Sequence, residues 1–119
     1  MPNVTTTQDG VAITDQLMFD VDVDQNAGVD VLGGSATIYS LRINNSSSLA
    51  WVKFYDDALP TVGTTDPDYI FQADASETVV WTIVDGFAMT ILSTAATNSA
   101  GTAGTTTPAG TIKVHAVVR

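Results

Sequence analysis

Short runs of alternating apolar and polar residues recur along the chain, with turn-forming residues between them. Phe19, Val21 and Val23 alternate with Asp20, Asp22 and Asp24. This period of two sets one row of side chains on a core and the other in water, and it predicts a strand over 17–24 with its acids solvated. Gln25 to Gly28 and Gly33 to Ser35 bracket a short run, Val29 to Leu32, as residues with permissive backbones do at turns. Tyr39, Leu41 and Ile43 then share one face of a strand over 37–44. Ala50, Val52 and Phe54 share one face of a strand over 49–55, with Trp51, Lys53 and Tyr55 on the other. The polar link Asn45 to Ser48 predicts a hairpin between these two.

Two further runs, 68–72 and 77–84, are rich in β-branched and aromatic residues and place Trp81 and Ile83 in the core. Asp85-Gly86 predicts a break, after which Phe87, Met89 and Ile91 alternate with small residues. Ala95 to Gly110 contains no large apolar side chain and reads as a long loop, followed by a last strand in which Ile112, Val114, Ala116 and Val118 form the buried row. Helical spacing is nowhere sustained. The pattern predicts an all-β fold of about seven or eight strands. Among such folds a jelly-roll-like sandwich is the first choice and an immunoglobulin-like sandwich the alternative.

Residues 1–16 break this rhythm. They are polar and Thr-rich with an Asp9-Gly10 turn signal, and they read as an extended N-terminal arm preceding a single sandwich domain over 17–119. Val4, Val11 and Ile13 are spaced to enter a partner's groove, and an extended arm can add a strand to a neighbour's sheet edge.

Composition narrows the class. With 45% hydrophobic and 14% charged residues the chain can fold on its own. Thirteen acids against four bases give a net charge of -9, which repels phosphate backbones and anionic lipids, so neither nucleic acid nor membrane is expected as a partner. There is no cysteine, hence no disulfide and no thiolate metal site. The start Met1-Pro2-Asn3 lacks the basic and apolar regions of a signal peptide, which predicts synthesis in the cytoplasm.

Candidate chemistry is sparse. Carboxylates at alternate positions of a strand stand roughly 7 Å apart, too far to share a cation. An EF-hand register starting at Asp20 would put Gln25 where Gly is needed and Val31 where Glu is needed. The single histidine, His115, has no nucleophile motif to serve, so no enzymatic activity and no cofactor are expected. Trp51 and Tyr55 flanking Lys53 make an aromatic face with one basic residue, a composition favoured at protein interfaces.

The stretch Ile43-Asn44-Asn45-Ser46-Ser47-Ser48-Leu49-Ala50-Trp51-Val52-Lys53-Phe54-Tyr55-Asp56, with the loop Pro60-Thr61-Val62-Gly63-Thr64-Thr65-Asp66-Pro67 after it, resembles the core of small β-sandwich proteins carried by tailed bacteriophages. The resemblance extends over about residues 37–118. It implies a virion structural protein, a decoration or cement protein of the head shell, with the major capsid protein as partner and a homo-oligomer as its form, a trimer being natural at the three-fold positions of a capsid. A tail, fibre or carbohydrate-binding module is the alternative.

Overall fold

The computed structural model describes residues 4–8, 16–20 and 22–119, with side chains from Met18 onward. All regular structure among them is strand: β1 (Val4–Gln8), β2 (Gln16–Asp20), β3 (Ala36–Asn45), β4 (Ala50–Asp56), β5 (Tyr69–Ala73), β6 (Thr78–Met89), β7 (Leu92–Thr97) and β8 (Ile112–Val118). They form a five-stranded sheet, β1-β2-β8-β3-β6, and a three-stranded sheet, β5-β4-β7. All pairings are antiparallel. The chain is therefore the all-β sandwich its alternation predicts.

The core lies between the sheets. Ile38, Leu41 and Ile43 of β3 and Ile112, Val114 and Val118 of β8 meet Val52 and Phe54 of β4 and Leu92 of β7, all buried. Buried and exposed positions alternate along β8, as a strand with one wet face requires.

Several expectations are corrected. The predicted hairpin through Asn45 to Ser48 is a crossover, because β3 and β4 belong to different sheets. Asn45 is the reason. It is buried, its Nδ2 donates to the carbonyls of Ser48 (3.0 Å), Ala73 (3.0 Å) and Asp74 (3.1 Å), and its Oδ1 accepts from Ser47 N (2.7 Å). These bonds tie the end of one sheet to β5 of the other, which a two-stranded hairpin could not do.

The acidic strand is shorter and turned over relative to the expectation. Asp20 Oδ1 accepts from Asp22 N at 3.0 Å, a local turn that ends β2. Within β2, Met18 and Asp20 face the core, opposite Ala116 and Val114, while Phe19 lies outside and stacks on His115. Val23 returns inward, its N–H donating to Ile112 O at 2.9 Å; Val21 lies outside the described residues.

In β3, Ile38 rather than Tyr39 fills the core position, because the register with β6 shifts between Ile38 and Ser40. Opposite that shift β6 bulges over Ile83 to Gly86 instead of breaking. Gly86 has φ +70°, and a Cβ there would lie 2.5 Å from Thr37 Cγ2. Trp81, expected in the core, is 41% exposed, and Ile83 and Ile91 are half-buried.

Ala95 to Thr97, expected in a loop, belong to β7, all six residues of which are buried. Small side chains suit it because it is covered on both faces. Of the segment expected as an arm, Val4–Gln8 pairs with β2 as the outermost strand of the large sheet. Val11 and Ile13 lie outside the described residues.

Candidate interaction surfaces

The outer face of the small sheet carries Trp51, Lys53 and Tyr55. Lys53 and Tyr55 have no exposed surface; Trp51 is half-buried. Lys53 Nζ donates to Gly101 O at 2.7 Å, so the Thr/Ala/Gly loop after β7 lies over this face. Thr102 Oγ1 donates to Asp66 Oδ1 at 2.6 Å and fastens that loop to the one after β4. Burial pushes the Lys53 ammonium down and the Tyr55 phenol up from their ordinary ranges. The chain covers this face with its own loop, and of the three side chains Trp51 alone remains partly accessible.

A different aromatic group does reach solvent. Phe71 of β5 sits at the side of the sandwich where the edges of the two sheets meet. Its ring centroid lies 5.7 Å from that of Trp81 and 6.0 Å from that of Phe87, both on β6. Tyr69 packs on Phe87 at 4.3 Å. Three strands facing five leave this seam incompletely covered, so Tyr69 (39%) and Trp81 (41%) keep substantial exposure. Ile70 and Val80, also exposed, lie beside Lys53 and Arg42 on the outer faces of the two sheets, and Val84 lies on the bulge of β6. The β-branched and aromatic run over 77–84 was the sequence signal for the aromatic seam, but that signal reads equally well as core.

The outer face of the large sheet gathers basic residues. Phe19, His115, Arg42 and Val80 are cross-strand neighbours in one row, with Lys113 two positions from His115 on the same face. The Phe19 and His115 rings stack at 4.0 Å and 12°. A shallow depression of about 300 Å³ is lined by Ser40, Arg42, His115 and Val117. Burial, Arg42 and Lys113 all depress the imidazole's proton affinity.

Among the described residues one acid lies inside. Asp20 is 1% exposed, its Oδ2 has no hydrogen-bond partner, and desolvation raises its pKa, with Asp22 and Asp24 adding to the effect. Among the described residues no group of three or more His, Asp or Glu is placed to hold a metal ion. No protein family, no curated protein and no solved structure matches this chain.

Proposed function

We propose that this chain is a structural protein of a tailed-bacteriophage virion, a decoration or cement protein that stabilises the head shell after synthesis in the host cytoplasm. The strand order carries the reading. The Gly28 segment bonds to the free edge of β7, Gly28 N to Thr94 O at 2.8 Å and Thr94 N to Gly28 O at 2.9 Å. Counted as a strand, it turns the sheets into β2-β8-β3-β6 facing Gly28-β7-β4-β5, with β1 added outside. That alternation supports the jelly-roll-like reading over the immunoglobulin-like one, and jelly rolls are used by viral capsid and lectin domains.

A fold alone does not assign a function. The resemblance over residues 37–118 to phage β-sandwich proteins selects the virion from the other uses of the architecture. The partner in this reading is the major capsid protein, whose basic loops would meet the acidic body, and copies would sit around symmetry axes as trimers. Repeated contacts on a lattice give such a protein avidity without a deep binding pocket.

The test is to mix the purified chain with capsids from a phage that encodes it, emptied and stripped of the protein. Saturable co-sedimentation, and density for the sandwich on the shell by cryo-EM, are expected. Absence of the chain from purified particles overturns the proposal. A tail or carbohydrate-binding module is the second reading, favoured by the exposed Tyr69 and Trp81. A glycan-array signal that is lost in Trp81→Ala would select it instead.

A further inference from the structure

The chain carries thirteen acids against four lysines and arginines, yet the outer face of its large sheet reverses that balance. Where β2, β8, β3 and β6 pair regularly, from Phe19 across to Val80, the outward positions hold Arg42, Lys113 and His115 and no Asp or Glu. Of the remaining bases, Lys53 is buried under its own loop and Arg119 sits 5.7 Å over the Tyr39 ring. Among the described residues neither Arg42 nor Lys113 has an ion-pair or hydrogen-bond partner. Two cations that their own acidic chain leaves unneutralised attract an acid from elsewhere.

We propose that the depression lined by Ser40, Arg42, His115 and Val117 is a binding site for a carboxylate presented by an acidic segment of another protein. Arg42 supplies charge and a planar fork of N–H donors that matches a carboxylate. His115 supplies a further donor. Its Nδ1 is buried without a hydrogen-bond partner, which leaves Nε2 as the nitrogen that meets a ligand. The 4.0 Å stack on Phe19 holds the ring in place, so little freedom is lost on binding. Lys113, two positions along β8, adds charge roughly 7 Å away.

The surroundings select the class of ligand. Phosphate sites are built from several backbone N–H groups, and here the amides of β3 and β8 are bonded within the sheet. The basic face spans β2 to β6, about 14 Å, so a nucleic acid would run past it onto an acidic body that repels it. The depression is shallow, about 300 Å³, and a small free acid would stay mostly in water. A peptide segment also covers the exposed Val117 and Val80 beside the basic residues. A second copy of this chain is disfavoured, since each carries -9. The inference does not depend on the virion reading.

His115 is the single histidine of the chain, so imidazole proton signals in NMR report this site alone. The groups facing it are Phe19 on β2 and Arg42 on β3, with Lys113 on its own strand, and none is negative. Burial, Arg42 and Lys113 hold its pKa below the ordinary 6.5. A carboxylate beside it favours the imidazolium and raises that pKa, and by linkage the acid binds more tightly as pH falls through it. Titration of the full chain with an acetylated tetraglutamate peptide, between about pH 5 and 8 where glutamates stay ionised, should move the His115 signals saturably and raise its pKa. Added NaCl should reduce both effects. Arg42→Gln should weaken binding at least about threefold. Leu59→Glu makes the same charge change on the exposed loop beyond β4 and should leave binding nearly unchanged. The pKa rise in the unmodified chain stands as a readout even if a variant fails to fold. The proposal is overturned by an unmoved pKa or by equal losses in the two variants. It is also overturned if inorganic phosphate matches the peptide, if a thymidine oligonucleotide binds more tightly, or if the His115 signals move with protein concentration alone, which would assign the acid to a second copy.

Discussion

Asp20 and Asn45 are both buried polar side chains, yet only one has its hydrogen-bonding capacity met. Asn45 bonds four backbone groups at the junction of the two sheets. Asn45→Ala would strand those groups and should cost about 3 kcal/mol in urea unfolding. Asp20 has one bond and one bare oxygen. Burial raises its pKa in the folded chain above the ordinary value of 3.8, so in the window above 3.8 the folded state holds this proton more tightly than the unfolded state does. Stability from this group is therefore greatest at acid pH, falls as pH rises through the folded pKa, and is flat beyond. Asp20→Asn removes that slope. At pH 7 the variant should be about 1 kcal/mol more stable than the parent, and the gap should shrink toward pH 4. Denaturant titrations at both pH values measure it; a gap of the same size at pH 4 would show that ionisation is not the cause.

At the level of strands, burial separates two aromatic residues that the alternation pattern treats alike. Phe54 is fully buried between the sheets, and Phe54→Ala should cost about 3–5 kcal/mol. Trp81 lies on the edge strand at the open seam, and Trp81→Ala should cost about 1 kcal/mol at concentrations where the chain is monomeric. Chemical denaturation at micromolar protein distinguishes them, and equal losses would place Trp81 in the core after all. The pair also marks how far the sequence could be read. Period-two alternation identified β3, β4 and β8 and the inward rows of β4 and β8, because a sheet with one wet face imposes that period. It could not tell which strands lie at an edge, since an apolar edge and an apolar centre have the same composition. It missed β7 because a strand covered on both sides by close-packed backbone selects Ala, Ser and Thr, the residues of a loop. It misplaced Asp20 because a single side-chain-to-backbone bond at Asp22 ends the strand, and no periodicity records that. The buried state of Lys53 and Tyr55 was illegible for a similar reason: the loop that covers them lies far along the chain.

The whole molecule is an acidic body with its charge unevenly laid out. Arg42, His115 and Lys113 share the outer face of the large sheet, while the chain as a whole carries -9. Self-repulsion at that charge opposes compactness. Raising NaCl from about 20 to 500 mM shortens the screening length to a few Å and should raise Tm by about 4 °C, roughly 1 kcal/mol for a domain of this size. Scanning calorimetry checks it, and a Tm that falls with NaCl would mean that attractive ion pairs outweigh the repulsion.

The loop that closes over the small sheet gives the molecule an internal reporter. Of its two lysines, Lys113 is exposed, whereas the amine of Lys53 is held against the Gly101 carbonyl with no solvent contact. An acylating reagent will modify Lys113 at once and reach Lys53 only when the covering loop lifts. Mass spectrometry that follows the two acylation rates side by side therefore reads out how often this face opens, on the native chain and without any introduced probe. Equal rates at the two lysines would show that the loop does not stay closed.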